Sequence, residues 1–212
     1  MIEIRVFISC PSRDTVLGNL PLELVSTADD LNKYYEPQGF LIKPLYWEQP
    51  FFVGSEIGKT PQQLIDEKVG DYDLYFGMMG SRYGSELQDN PISLTEYEFN
   101  DALVRNAKSS QYKYPRIVCF SFLKASKEDC DDGQFEKIEE FRYRAWETGI
   151  SNVYTNKNEI VRLFESKLKE CVDTSFVKYS LPNEYTIPLS ISDRTNARDS
   201  IFRLNQSSLY EE

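Results

Sequence analysis

The sequence predicts an α/β fold, a mostly parallel five-stranded sheet covered by helices on both faces in three layers. Short apolar runs recur at Ile2 to Ser9, Phe40 to Trp47, Asp71 to Gly80 and Pro115 to Leu123, with helical periodicity between them. That alternation marks strands joined by helical crossovers. The length of 212 residues suits one well-buried domain with an appendage.

Ile2 to Ser9 alternates and then becomes continuously apolar, as a central strand does, and Cys10-Pro-Ser-Arg-Asp14 is a polar turn. Leu20, Leu24, Ala28, Leu31 and Tyr35 recur at three- and four-residue spacing, so a helix is expected from Leu20 to Tyr35, stopping before Pro37 and Gly39. Pro44 places the second strand at an edge or a bulge. Glu48 to Thr60 reads as a loop and Pro61 to Lys68 as a short helix entered through proline. After the third strand, Ser81-Arg-Tyr-Gly84 and a polar loop lead to Ser93-Leu-Thr-Glu96. This is a capping box, Ser93 accepting from the Glu96 amide and the Glu96 carboxylate reaching back.

The capped helix runs from Leu94 to Ala107, and a charged helix from Phe135 to Thr148 carries Phe135, Ile138, Phe141 and Trp146. Asn152 to Thr155 is a brief fifth strand, and Lys157 to Val172 a helix with Ile160, Leu163, Phe164, Leu168 and Cys171 on one side. The domain is therefore expected to span residues 1–172, with 173–212 an extended arm or linker carrying Leu181-Pro and Ile187-Pro.

Composition excludes several chemistries. Lys+Arg 24 against Asp+Glu 34 gives a net charge of -10, which argues against a general grip on nucleic acid or an anionic membrane. The four cysteines, Cys10, Cys119, Cys130 and Cys171, have no close pairing, and no leader or long apolar run is present. A reduced, soluble, cytoplasmic chain without a metal site is expected. Histidine is absent. Imidazole acid/base steps and His-dependent triads are thus unavailable to this chain acting alone.

Two glycine-rich stretches fail as nucleotide motifs. Gly54-Ser-Glu-Ile-Gly-Lys-Thr60 has three residues between its glycines where a P-loop needs four, and Pro61 follows. Gly77 to Gly84 lacks the dinucleotide-binding spacing and opens no helix.

A carboxylate carries more weight. At about 100° per residue, Leu94, Phe99, Ala102 and Leu103 form an apolar arc that includes Glu98, while Glu96 lies on its margin with a capping role. Glu98 thus faces packed structure near the carboxyl end of a strand, where open α/β sheets bind ligands. Arg13, Arg82 and Trp47 fall on the same rim. Aromatic faces such as Trp47, Phe51 and Tyr83 can stack a flat ring, and the two arginines can meet phosphates.

Val6-Phe-Ile-Ser9 and its turn, Trp47-Glu through Gly58-Lys-Thr-Pro-Gln-Gln-Leu-Ile65, Asp73-Leu-Tyr-Phe76 and Glu98-Phe-Asn-Asp-Ala-Leu103 resemble a TIR domain. Arg82-Tyr-Gly84 with Ser93-Leu-Thr-Glu-Tyr-Glu98 is similar to a TIR-related bacterial family found N-terminal to STAND ATPases in antiphage defence. The likeness covers about Ile4 to Leu168, and Glu96-Tyr97 stands where many TIR domains have tryptophan-cysteine. It implies a flavodoxin-like, TIR-like sandwich and an NAD+ nucleosidase activated by self-association, with Glu98 catalytic and NAD+ the substrate, no further cofactor being needed. The implied substrate-binding set is Ser9, Arg13, Trp47, Phe51, Gly80, Arg82 and Tyr83. Glu48 to Thr60 would match the loop that gates the pocket and mediates assembly, and a fused or partner STAND ATPase or sensor module is implied. A nucleoside deoxyribosyltransferase-like enzyme using the same glutamate and a non-catalytic TIR-type interaction module are the alternatives.

Overall fold

The computed structural model describes residues 1–46, 70–87, 90–108 and 115–180. The chain divides into two units, Met1–Ser175 and Phe176–Glu212, and the first is the α/β domain. Its strands are β1 (Ile2–Ser9), β2 (Phe40–Tyr46), β3 (Leu74–Met79), β4 (Glu86–Leu87), β5 (Asn90–Ser93), β6 (Ile117–Leu123) and β7 (Ser151–Tyr154). The helices are α1 (Leu20–Tyr35), α2 (Leu94–Lys108), α3 (Gln134–Glu147) and α4 (Lys157–Ser180).

Five strands form one sheet in the order β2-β1-β3-β6-β7, every pair parallel. This doubly wound order places a switch point between β1 and β3, where successive connections leave toward opposite edges. The fold is an α/β sandwich of the flavodoxin-like kind, its sheet wholly parallel where the sequence predicts mostly parallel. β2 is an edge strand, with Pro44 opposite Val6.

Alternation along the strands sorts the core into two layers. Ile4, Val6 and Ile8 of β1 and Leu74, Phe76 and Met78 of β3 pack with Leu20 and Leu24 of α1 and Ile160, Phe164 and Leu168 of α4. Phe7, Tyr75, Met79, Phe120 and Phe122 face the other way, against Phe99 and Ala102 of α2 and Ile138 and Phe141 of α3. The second layer is aromatic: Phe120 meets Phe99 and Phe141 edge-on, each with centroids 5.1 Å apart. At the amino ends of the strands, Asp73 accepts from the Arg5 amide at 2.9 Å and pairs with Arg116 at 2.6 Å, tying β1, β3 and β6 together.

Several expectations need correction. The polar loop before α2 contains an antiparallel hairpin, β4 with β5. Strands of 2 and 4 residues with Pro91 inside carry no readable alternation. The last helix continues to Ser180, beyond Val172; inside it the hydroxyls of Thr174 and Ser175 bond back to the carbonyls of Glu170 and Cys171, so these polar side chains do not compete with the helix amides. Trp146, grouped by spacing with Phe141, is 69% exposed. The loop expected at Glu48 to Thr60, the helix expected at Pro61 to Lys68 and most of the arm lie outside the described residues.

Gly77 shows how tightly the aromatic layer closes on β3. A Cβ there would stand 2.3 Å from the Phe120 ring and 2.9 Å from that of Tyr75, and these rings sit in a packed core. Gly77→Ala is therefore expected to destabilise the fold by roughly 1–3 kcal/mol through overpacking. The drop in urea midpoint at unchanged slope is the measurement.

Candidate active site

The crevice at the carboxyl ends of β1 and β3 is shaped by the loop after β1, the loop after β3 and the first turn of α2. One buried carboxylate joins the two loops. Asp14 accepts from the amides of Val16 (3.1 Å) and Leu17 (3.0 Å) in its own loop. It also accepts from the amides of Gly80 (2.8 Å), Ser81 (3.1 Å) and Arg82 (3.1 Å) and from the Ser81 hydroxyl (3.1 Å) across the crevice. Turning Asp14 inward leaves Arg13 at φ 58, a left-handed conformation that costs a non-glycine residue on the order of 1 kcal/mol. The inward carboxylate also favours glycine at position 80, where a Cβ would stand 2.8 Å from it.

Against this frame lies Glu98. Its Oε2 accepts a 2.6 Å hydrogen bond from the hydroxyl of Ser9, the buried last residue of β1. The Tyr75 phenol on the same sheet face is pushed well above its usual range, chiefly by burial and then by the negative charge of Glu98, while the Ser9 hydroxyl pulls it down. Tyr75 therefore stays a neutral donor. Beside Glu98 a cavity of about 10 Å³, room for about one water, is lined by Phe7, Tyr72, Tyr97, Asp101 and Arg105. Arg105 pairs with Asp101 at 2.5 Å and lies 5.9 Å from the Tyr72 ring centre, so a cation stands along the helix face that carries Glu98.

Glu96, which the sequence reading places on the margin of the helix, is the more deeply buried of the two glutamates at 2% exposure. Half of the expected capping box is present, the Glu96 amide donating to Ser93 Oγ at 3.2 Å. The other half closes through a third residue. The Ser93 amide donates to the Tyr83 hydroxyl at 3.1 Å, and that hydroxyl donates to Glu96 Oε2 at 2.5 Å. Arg144 of α3 grips both Glu96 oxygens at 2.9 Å, the bidentate geometry suited to a carboxylate.

The predicted site residues therefore separate. Ser9 and Glu98 touch. Gly80 and the Arg82 backbone serve the Asp14 frame, and Tyr83, 2% exposed, faces the core edge-on to Phe141, so its ring is no stacking surface for a ligand. Arg13 is exposed beside an open depression of about 370 Å³ lined by Cys10, Thr15, Gly18 and Tyr46. Trp47 and Phe51 lie outside the described residues. Asp14, Tyr75, Arg144 and Gln134, whose side-chain oxygen accepts from the Tyr83 and Gly84 amides, escaped the sequence reading. Only Asp14 carried a usable signal, a short polar side chain in a strand-to-helix turn where it can bond amides two residues on. Among the described residues no His, Cys, Asp or Glu cluster could hold a metal, no helix is long and apolar enough to cross a membrane, and the four cysteines are free thiols.

A family profile described as a domain of unknown function (DUF4062) matches residues 42–169, more than half of the chain. The chain belongs to the DUF4062 family. The matched span holds Glu98, Glu96, Tyr83 and Arg144, whereas Ser9 and Asp14 precede it, so the site draws on both the DUF4062 span and the first strand and turn. No curated protein and no solved structure matches the chain.

Tyr83 gives this region a pH signature. Its pKa is pushed up to about 12, by burial first and then by the bond to Glu96. The unfolded chain loses this proton near pH 10, so the stability it contributes is complete below about pH 10 and is lost as pH rises through about 12. Tyr83→Phe leaves the Ser93 amide and Glu96 short of a partner and is expected to cost roughly 1–3 kcal/mol at neutral pH. In denaturant titrations the gap between wild type and variant should narrow from pH 10 to 12.

Proposed function

We propose that this chain is a TIR-like effector domain that, on self-association, hydrolyses the nicotinamide-ribose bond of NAD+ in bacterial antiphage defence. The observation that supports it most is the Ser9 to Glu98 hydrogen bond of 2.6 Å at the switch point of a doubly wound sheet. The TIR resemblance of the surrounding motifs supplies the substrate. The Asp73-Leu-Tyr-Phe76 and Glu98 to Leu103 stretches that carry it form β3 and α2, the elements beside the crevice.

The reaction suits a chain with no histidine. When the C–N bond breaks, its electron pair returns to the pyridinium ring and nicotinamide leaves neutral, so no general acid is needed. Positive charge develops on the ribose, and a fixed carboxylate stabilises it as glycosidase carboxylates do. Water then adds to the sugar, giving ADP-ribose and a proton. In this reading Glu98 is the catalytic residue and Ser9 orients it, Arg13 meets a phosphate, and a fused or partner STAND ATPase or sensor module brings copies together in the cytoplasm.

Glu98→Gln keeps the shape and removes the charge, and is expected to lower NAD+ cleavage roughly a hundredfold or more with an unchanged circular dichroism spectrum. Ser9→Ala should lower kcat about tenfold with little change in KM, since it frees the carboxylate without touching substrate. Chromatography of NAD+ and a nucleoside panel, incubated with concentrated protein, reads the products. Full activity of Glu98→Gln sinks the assignment, turnover of nucleosides alone points to a deoxyribosyltransferase, and no turnover of either points to an interaction module.

A further inference from the structure

The two edges of the sheet are finished differently. On β2, the carbonyl of Gly39 accepts from the Ile2 amide, so alternation turns the backbone of Ile42 and Pro44 outward, away from β1. That edge is closed. The Asn32 side chain takes both the Ile42 amide and its carbonyl at 2.7 Å, Pro44 has no N–H, and Lys43 stands exposed between them. On β7, the Tyr154 carbonyl accepts from the Lys124 amide at 2.7 Å, so Ser151 and Val153 present their backbone outward. Among the described residues no strand pairs with that side, and β7, Ser-Asn-Val-Tyr, contains neither lysine nor proline.

The helix beside this open edge turns aromatic groups to the outside. Glu139, Arg142, Tyr143 and Trp146 share one face of α3, and with Ser151, Asn152 and Val153 they line a groove of about 410 Å³. Trp146 is 69%, Tyr143 63% and Val153 47% exposed, and exposed aromatics gathered in this way mark association surfaces. Arg142 pairs with Glu139, so the strip is neutral in a chain whose net charge is -10. Two equally charged copies can meet there without setting carboxylate against carboxylate.

We propose that a second copy of this chain docks on this surface, β7 pairing antiparallel with β7 of that copy about a two-fold axis. Each copy then satisfies the outward N–H and C=O of Val153 with those of the other, and the aromatic strips are covered on both sides, as a self-complementary interface requires. The dimer names the surface for the self-association in the proposed function, and rests on that reading for this meaning alone.

Sedimentation velocity over a concentration series of the whole chain tests it. Wild type should double in mass at micromolar concentration. Trp146→Glu, which removes an aromatic anchor, and Val153→Pro, which removes the outward N–H at an edge position, should each weaken the dimer by roughly thirtyfold or more. Both side chains are exposed, so circular dichroism should be unchanged, and Lys43→Met on the closed edge should leave the mass alone. A wild type that stays monomeric to about 100 µM, or a dimer that survives both Trp146→Glu and Val153→Pro, overturns the proposal. NAD+ assays on the same samples separate the two readings: a dimer without cleavage refutes the activity and keeps the interface, and cleavage by assemblies that persist in both variants refutes the interface and keeps the activity.

Discussion

The site depends on Asp14. The residue is 5% exposed, and its carboxylate is balanced by amide and hydroxyl donors from two loops, without an ion pair of its own among the described residues. A carboxylate buried without such donors would be costly, so the two loops must hold the spacing that lets all of them reach it. The left-handed turn at Arg13 and the glycine at position 80 follow from that one constraint. The result is that the two loops are tied together at the place where the winding of the sheet changes direction.

Helix α2 is locked against this frame from both margins. On one side Arg144 and Tyr83 hold Glu96, and on the other Ser9 holds Glu98. The two glutamates are two residues apart on the helix, so a rotation that relieved one contact would break the other. Gln134 adds to the lock, its side-chain oxygen accepting from the amides of Tyr83 (2.8 Å) and Gly84 (3.2 Å), so that α3 braces the loop after β3 as well as the capped end of α2. The acid with no part in the proposed chemistry thereby fixes the position of the acid that has one.

Periodicity made the architecture legible. The apolar alternation of β1, the unbroken run of β6 and the spacing of α1 are local signals that tertiary packing reinforces, and Pro44 marked an edge because proline removes a ladder donor. The site was legible only in part. Glu98 stood out by its phase on the helix, yet phase ranked it as the more buried glutamate, and the structure reverses that order because Glu96 is covered by a partner, Arg144, 48 residues away. Tyr83 read as a stacking ring because nothing local shows that its hydroxyl completes a cap 10 residues later. The donors that gather on Asp14 come from residues up to 68 positions distant, and pairings at that range leave no trace in a single sequence.

The closure of β2 limits growth through the sheet. With Ile42 satisfied within its own chain and Pro44 offering no donor, the middle of that edge has no free N–H to give an added strand. In the proposed two-fold dimer, where β7 meets β7 and this protected edge is left at either end, strand addition ends at the pair. Larger assemblies of that dimer would draw on helix or loop surfaces, leaving the number of copies they hold independent of sheet geometry.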